Sequence, residues 1–329
     1  MNDFKNILLI NFGGIGDEIL FLPTIKSIKE AYPSAKITLV LEPRSKSIQN
    51  LCGYIDQTIG IDIKGKNKYS ELIKFYFKAL FGNYDLVISS GANKLIPILL
   101  FLTGIKVRIG YDSGFLTQKL LTKAIKLNKN QYAARMYHDL VSDITEKEYE
   151  DPEIVIEDLQ KFSNSILVHP GVSKMSINKN IIKSWSNSTW AELIEQLLKK
   201  GKNVYLAGGP DDKECIEEIR EYFKVKSYDN LFDMYGKTKN IMDLAKLIKQ
   251  SEMLVCSDSA PMHIGIATNT KTIAIFGPTD EKKLLPISDK YIAITNDVHC
   301  RPCLWDKRQT SCETKECINI QIDKITNLV

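Results

Sequence analysis

The sequence predicts an α/β protein of two domains, each built on a parallel sheet with helices on both faces. Its 329 residues exceed what one ordinary hydrophobic core accommodates. Short aliphatic segments alternate with stretches of helical periodicity in both halves, which is the pattern of a parallel sheet. Each half also offers a strand that runs into a glycine-rich loop and a helix. We therefore expect two domains that face each other across a cleft, with ligands bound at the carboxyl ends of the strands.

Composition narrows the class of protein further. Hydrophobic residues make up 44% of the chain and charged residues 26%, a balance typical of a folded globular protein. The net charge of +4 suits an anionic small molecule or a membrane surface and is too weak to indicate nucleic acid as a partner. Residues 1–5 give no indication of a signal peptide, and the most apolar later stretch, Leu95–Leu102, is far shorter than the ~20 residues of a membrane span. We expect a cytoplasmic protein.

The first half begins with a strand–loop–helix unit. Asn6–Ile10 is an aliphatic strand that runs into a glycine-rich loop, and apolar residues then recur at helical spacing over Glu18–Tyr32. The charged stretch Glu146–Pro152 is the best candidate for a linker, so we place the domains at residues 1–155 and 156–329. Further strands of this half are predicted at Lys36–Leu41, Leu86–Ser89 and Lys106–Ile109.

The second half repeats the alternation of strands and helices. Strand Ser165–Val168 precedes a polar, lysine-rich loop over Val172–Ser188, and a helix follows at Thr189–Lys200 with Ser188 as its predicted N-cap. The remaining predicted elements are strands at Asn203–Ala207, Met253–Cys256 and Thr272–Phe276, and helices at Asp211–Tyr222 and Ile241–Gln250.

The first glycine loop, Gly13-Gly14-Ile15-Gly16-Asp17, only partly fits a dinucleotide-binding fingerprint. After Gly14 and Gly16, that fingerprint needs glycine or alanine at position 19, which is Ile19. Glu42 follows the second strand as an acceptable ribose-binding acid, so a nicotinamide-dependent oxidoreductase stays an alternative. Asp17 has two interpretations: a general base close to the substrate, or a helix cap that stabilises the helix dipole.

Two loops of the second half indicate a nucleotide diphosphate. In the lysine-rich loop, Lys183 is a candidate to neutralise the charge of a leaving diphosphate, although solvated lysines are the simpler interpretation of such a loop. Gly208-Gly209-Pro210 follows a strand and precedes Asp212, which fits either a carboxylate that binds ribose hydroxyls or a helix cap.

A third stretch opens a helix after a strand. Asp258, Ser259 and Ala260 come directly before Pro261, a residue favoured in the first helical turn. The backbone N–H groups of such a turn, together with the helix dipole, form an anion site. His263 lies on the same helix, where packing below the loop is its simpler interpretation.

Taken in order, these motifs resemble glycosyltransferase family 9, the heptosyltransferases that use ADP-heptose in lipopolysaccharide synthesis. Gly16-Asp17, followed by Leu20 and Pro23, looks like the opening of that family. Lys183-Ser184-Trp185 matches its Lys-x-Trp element, and Gly208-Gly209-Pro210 matches its nucleotide loop. The stretch from Asp258 to Thr279 is similar to the family's most specific signature. The similarity spans nearly the whole chain.

The resemblance implies a GT-B fold, in which two Rossmann-like domains face each other across a cleft. Residues 1–155 would bind the acceptor and residues 156–329 the nucleotide-sugar donor. The reaction would invert the anomeric centre without a catalytic metal, and would move a sugar from a nucleotide diphosphate, such as ADP-heptose, to a lipopolysaccharide core or other glycan. Two alternatives stay open: a protein O-heptosyltransferase of the same family, and a sugar-nucleotide-binding protein without activity.

Carried over residue by residue, the resemblance makes Asp17 the general base and Lys183 the group that binds the diphosphate and stabilises its departure. Asp258, Ser259 and Ala260 would line the diphosphate and the transferred sugar. Asp212, and less securely Glu214, would lie near the ribose. The donor-binding set is completed by Gly14, Gly16, Gly208, Gly209 and His263. The stretch Lys174–Ile182 does not align with donor-specific positions, so the sugar is not identified by the sequence.

Four cysteines are crowded into the tail at residues 300–317. Two, eight and four residues separate Cys300, Cys303, Cys312 and Cys317. Four thiols at that spacing suit a tetrahedral site for structural zinc or iron, and cysteine tails also occur in the family. Disulfides and buried thiols remain alternatives.

Six basic residues of the first half suit an acidic, lipid-linked glycan and peripheral contact with the cytoplasmic face of the inner membrane. They are Lys64, Lys66, Lys68, Lys94, Lys106 and Arg108. Solvated surface residues are the simpler interpretation of any one of them.

Overall fold

Aliphatic segments of the first half form a six-stranded parallel sheet in the computed structural model, which describes residues 3–91, 95–304, 307 and 312–329. The sheet order is β3-β2-β1-β4-β5-β6. Its strands are β1 (Asn6–Ile10), β2 (Lys36–Leu41), β3 (Gln57–Gly60), β4 (Leu86–Ser89), β5 (Val107–Tyr111) and β6 (Lys123–Ile125). The chain reverses its direction across the sheet between β1 and β4, so the loop after β1 lies at the point where α/β sheets usually bind ligands.

Helices cover both faces of this first sheet. They are α1 (Ile15–Ala31), α2 (Lys68–Phe81), α3 (Leu95–Leu102), α4 (Phe115–Leu120), α5 (Ala133–His138) and α6 (Ser142–Thr145), with a 3-10 helix at Pro43–Asn50. Crossovers between parallel strands are right-handed. The step from β1 to β2 runs opposite to the steps from β3 through β6, so α1 lies on one face and α2, α3 and α4 lie on the other.

A second parallel sheet has the order β12-β11-β10-β7-β8-β9. Its strands are β7 (Ser165–His169), β8 (Asn203–Leu206), β9 (Leu231–Asp233), β10 (Met253–Ser257), β11 (Lys271–Phe276) and β12 (Tyr291–Thr295). β10 pairs with β7 on one side and β11 on the other. The loops after β7 and β10 therefore meet at the corresponding point of reversal.

The second sheet is also covered on both faces. Its helices are α7 (Lys174–Asn178), α8 (Asn187–Lys199), α9 (Lys213–Phe223), α10 (Ile241–Gln250), α11 (Ala260–Ala267), α12 (Glu281–Leu284) and α13 (Asp323–Thr326), with 3-10 turns at Pro210–Asp212 and Glu316–Ile318. Trp190 and Leu197 of α8 are fully buried against the sheet, and Ile325 of α13 joins the same core. Because both faces of the sheet are covered, its central strands β7, β10 and β11 are buried and mainly apolar.

The chain divides into two compact units, Met1–Glu153 and Ile154–Val329. Several element boundaries differ from those predicted. α8 begins before Thr189, because Ser186 rather than Ser188 is the N-cap and its hydroxyl accepts a hydrogen bond from the Thr189 N–H at 3.2 Å. The predicted loop before α8 also contains α7. Over the part of the chain that the structure describes, no helix has the length and apolar character to cross a membrane.

Candidate active site

The β1–α1 loop is organised by the carboxylate of Asp17. Asp17 is the third residue of α1, and its Oδ2 accepts a hydrogen bond from the Gly14 N–H at 2.7 Å. A Cβ at Gly13 would lie 2.1 Å from the Cβ of Asp17, so only glycine fits at that position. Asp17 is therefore a helix cap, as one interpretation predicted, and it also stays partly exposed. Gly16 lies inside the first turn of α1 rather than in the loop.

Glu18, the next residue, has a very different environment. It is fully buried, and neither carboxylate oxygen makes a well-formed hydrogen bond with the described residues. Burial raises the pKa of Glu18 well above its usual range, and the neighbouring charge of Asp17 raises it further, although the proximity of Asn11 offsets part of this. Burial thus favours the protonated form of Glu18, next to the partly exposed Asp17.

Tyr137 of α5 lies close to the carboxylate of Asp17. Its ring packs edge-to-face on Phe21, with 5.6 Å between the centroids. Burial raises the pKa of the Tyr137 phenol well above its usual range, and the charge of Asp17 adds to the rise, so the phenol stays protonated. The sequence analysis did not single out Tyr137, because no local motif links it to a loop 120 positions away.

Glu42 is held by two cations at the end of β2. Its carboxylate lies 2.6 Å from Arg44 Nε and 2.6 Å from Lys64 Nζ, and it is almost fully buried. Lys64 also donates to the Phe12 carbonyl at 3.0 Å. Glu42 therefore anchors the glycine loop, and its carboxylate is already engaged by cations that a ribose would have to displace.

Three of the other predicted acceptor residues have no ion pair of this kind among the described residues. Lys66 and Lys68 are exposed, as is Lys106. Arg108, in contrast, donates hydrogen bonds to the carbonyls of Leu120 and Ile105 and so links the end of α4 to the residues before β5. Lys94 lies outside the described residues.

In the second unit, Lys183 and Asp258 form a buried ion pair. Lys183 Nζ lies 2.8 Å from Asp258 Oδ2, and the side chains are 14% and 3% exposed. Thr279 donates to the same oxygen at 2.6 Å. Burial alone would raise the pKa of Asp258, but Lys183, then Thr279 and His263, outweigh it and hold that pKa below its ordinary value. The pair places a charged ammonium group at the carboxyl end of β10.

A network of serine hydroxyls fixes the backbone around this pair. Ser184 and Ser257 each donate to the Pro170 carbonyl at 2.8 Å, which joins the loops after β7 and β10 to the Lys183 segment. The indole N–H of Trp190 donates to the Ser184 hydroxyl at 2.8 Å. These bonds connect the segment that carries Lys183 to α8, whose Trp190 is fully buried in the core.

The N-terminus of α11 opens directly beside Asp258. Ser259 is the N-cap residue, but its hydroxyl donates to the Gly171 carbonyl at 3.1 Å and does not cap the helix. The Ser259 side chain thus does not satisfy the N–H groups of the first turn, which begins at Ala260. His263 is buried in the same turn. An uncapped helix N-terminus next to a lysine is suited to bind a phosphate group.

Asp212 organises the loop after β8 in the way Asp17 organises the loop after β1. Its Oδ2 accepts a hydrogen bond from the Gly209 N–H at 2.7 Å and lies 3.8 Å from His169 Nε2. A Cβ at Gly171 would lie 1.9 Å from Asp212 Oδ1. Asp212 is buried, and burial raises its pKa while His169 opposes the rise. The structure thus places Asp212 as a cap that holds neighbouring loops; Glu214 follows in the first turn of α9.

The cysteine tail packs against the loop that carries Thr279. The Cys303 N–H donates to the Pro278 carbonyl at 2.9 Å, and Arg301 Nε donates to the Gly277 carbonyl at 2.6 Å. Burial raises the pKa of the Cys317 thiol, and the nearby Cys312, Cys303 and Cys300 raise it further. Among the described residues, no three or more histidine, cysteine or acidic side chains are arranged to hold a metal ion. The four thiols are therefore neighbours without forming a ready metal site.

Comparison with known proteins places these motifs in a family. Residues 74–314 match the family described as glycosyltransferase family 9 (heptosyltransferase). Lipopolysaccharide heptosyltransferase 3 of Escherichia coli K12 is 26% identical over 298 residues, which cover 84% of each chain. A family 9 glycosyl transferase from Veillonella parvula superimposes with a TM-score of 0.71 at 23% identity, over 89% of this chain and 86% of that one. The E. coli heptosyltransferase WaaC with ADP-2-deoxy-2-fluoro heptose gives 0.66 at 18% identity, over 88% and 92%. These structures share the fold predicted for the chain, GT-B.

Proposed function

Because the chain belongs to glycosyltransferase family 9 and is therefore a glycosyltransferase, we propose that it transfers heptose from ADP-heptose to a lipopolysaccharide core, with inversion of the anomeric centre. The match confirms the predicted enzyme class and leaves the oxidoreductase and binding-protein alternatives without support. The lipopolysaccharide heptosyltransferases among the relatives favour a glycan acceptor over a protein acceptor.

The observation that carries this proposal is the Lys183–Asp258 pair beside the uncapped N-terminus of α11. A diphosphate at this point would meet an ammonium group and the N–H groups of the first helical turn. Lys183 would stabilise the negative charge that grows on the diphosphate as the bond to the anomeric carbon breaks. Asp258 would hold the ammonium in position, while Ser259, Ala260 and His263 would line the phosphates and the sugar.

Asp17 is proposed as the base for the acceptor. The acceptor hydroxyl oxygen would form its bond to the anomeric carbon from the face opposite the diphosphate, and its proton would pass to Asp17 as that bond forms. The hydrogen bond from Gly14 fixes the direction of the carboxylate. Glu18 is fully buried, and burial raises its pKa well above the usual range, so its carboxyl is not placed to receive this proton.

The remaining donor contacts are assigned to the glycine loops. Gly208 and Gly209 would allow close approach of the nucleotide, and Gly14 and Gly16 would do the same for the sugar. We keep Asp212 and Glu214 near the ribose. Asp212 has the weaker structural support of the two, since its carboxylate already accepts a hydrogen bond from the Gly209 N–H and lies beside His169.

Catalysis in this proposal uses no metal or other cofactor. The chemistry of four tail thiols fits structural zinc or iron, whereas their arrangement does not bring three ligands together among the described residues. We propose a metal there only as a structural element, taken up with local rearrangement of the tail. No step of the transfer depends on it.

We also propose that the enzyme works at the cytoplasmic face of the inner membrane, where a lipid-linked acceptor would be held. Lys66, Lys68 and Lys106 are exposed and suit acidic groups of such an acceptor.

The direct test is transfer by the purified enzyme. ADP-heptose would be incubated with heptose-deficient lipopolysaccharide core and, separately, with candidate proteins, and products would be read by mass. We expect a gain of one heptose on the core alone. UDP- and GDP-linked sugars serve as matched donors; transfer from either of these, but not from ADP-heptose, would overturn the donor assignment.

A further inference from the structure

Helix α2 has two apolar faces, only one of which is covered. Leu72, Phe75 and Ala79 are buried in the core of the first unit. A second stripe recurs every four residues along the helix and points away from that core. Its members and their exposed fractions are Tyr69 (65%), Ile73 (58%), Phe77 (49%) and Phe81 (73%).

Two aromatic residues of this stripe, Phe77 and Phe81, pack against each other on the surface. Phe77 and Phe81 stack with their rings nearly parallel, 8° apart, and 6.2 Å between centroids, and Tyr76 packs edge-to-face on Phe77 at 5.3 Å. Single exposed apolar residues are common on soluble proteins, whereas contiguous patches mark interaction surfaces.

The neighbouring helices extend the patch. α3 contacts α2, α4 contacts α3, and all three lie on the same face of the sheet. They add exposed residues of the same type, namely Leu95, Phe101, Leu102, Phe115 and Leu116, which are 46% to 73% exposed. Exposed apolar residues thus occur on three consecutive helices of this face of the sheet.

Positive charge is concentrated beside the patch. Residues 64–82 contain five lysines against one glutamate, a balance equal to the net charge of the whole chain. Lys64 and Lys74 have acidic partners. For Lys66, Lys68 and Lys78, no ion pair occurs among the residues that the structure describes.

We propose that the outer face of α2, extended by α3 and α4, docks the enzyme on an anionic lipid bilayer. Aromatic side chains flanked by lysines are the residues that amphipathic helices place at the boundary between headgroups and acyl chains. Charge argues against a second copy of this chain as the occupant, since pairing two such faces would bring two lysine clusters together. This inference rests on the proposed function only for the purpose of docking, which is to reach a membrane-linked acceptor. The surface itself is inferred from the exposed residues of α2 and its neighbours.

The test is flotation of the full-length protein with two kinds of vesicle, phosphatidylcholine alone and phosphatidylcholine with phosphatidylglycerol. We expect binding to the anionic vesicles that weakens with salt. Phe77→Ser with Phe81→Ser should reduce that binding by at least ~10-fold, and Lys66→Glu with Lys78→Glu should do the same. The matched control is Val225→Ser, because Val225 is 89% exposed in the second unit and should leave binding unchanged.

Three binding results would overturn the inference: no binding of the wild type to anionic vesicles, equal binding to both kinds of vesicle, or unchanged binding of the Phe77/Phe81 variant. A fourth is a wild type that binds no vesicle but forms a dimer, with the Phe77/Phe81 variant monomeric. Turnover on a fully deacylated, soluble core oligosaccharide separates the inference from the proposed function. The Phe77/Phe81 variant should match the wild type there. A wild type that binds vesicles yet transfers no heptose to that oligosaccharide would refute the function and leave the docking surface standing.

Discussion

Replacing Lys183 with alanine should destabilise the protein as well as weaken nucleotide binding. The change leaves Asp258, which is 3% exposed, with Thr279 as its remaining strong partner. Breaking a buried pair on one side typically costs 3–5 kcal/mol, because the other charge stays buried. Asp258 can escape that state by taking a proton, which from an ordinary pKa costs about 4 kcal/mol at neutral pH. We therefore expect a loss of about 3 kcal/mol in the free energy of unfolding.

Denaturant unfolding of three variants measures this. Lys183→Ala with Asp258→Asn removes the stranded charge, so stability should return close to that of the wild type while ADP binding stays lost. Lys174→Ala is the control, since Lys174 is 65% exposed and its pair with Asp211 lies at the surface; its effect should stay below about 0.5 kcal/mol. A Lys183→Ala protein as stable as the wild type, or a double variant no better than the single one, would refute the reasoning.

The same pair sets a pH dependence. The pKa of Asp258 is held below its ordinary value, so its stabilising effect is fully present above the unfolded pKa near 3.9 and is lost as pH falls through the folded pKa. The difference in stability between the wild type and Lys183→Ala should accordingly shrink as the pH is lowered below about 4.

Three further predictions concern single residues. Asp17→Asn keeps an oxygen that can accept the Gly14 N–H, so the protein should fold and bind ADP normally while kcat falls by at least ~10²-fold; near-full activity would leave Asp17 only a cap. Glu18→Gln should gain stability relative to the wild type as pH rises above about 4.5, because a carboxyl with a raised folded pKa is stabilising only while protonated; urea midpoints at about pH 4 and pH 8 would show it, and a pH-independent difference would contradict it. If the tail holds a structural metal, Cys300→Ser should lose about one zinc or iron per chain, by elemental analysis, together with thermal stability; a metal-free wild type would end that proposal.

The sequence was sufficient for elements whose residues carry their own signal. β1, β2 and β4 are mainly aliphatic, because both faces of the sheet are covered, and a buried strand can be recognised without knowing its neighbours. β3 and β9 lie at sheet edges and are short and partly polar, so nothing in them stands out from a loop.

Sequence motifs indicate the residues of the candidate site one by one, but they do not indicate the contacts between these residues. Lys183 and Asp258 were each indicated by motifs, yet nothing local shows that they form one buried pair, since they lie 75 positions apart. Tyr137 reaches Asp17 only because α5 packs on α1. The start of α8 was misplaced because several hydroxyl residues in a row could each cap a helix, and only packing chooses Ser186.

The two glycine loops can be compared within one chain. Each closes its turn with an aspartate three positions after a glycine, at the same 2.7 Å distance. In the second unit the aspartate is buried beside His169, whereas in the first unit it stays partly exposed. A capping hydrogen bond fixes the position and the direction of a carboxylate, and a general base needs both. If Asp17 is the base, its exposure is what distinguishes it from Asp212, and enclosing Asp17 should then lower turnover as much as removing it.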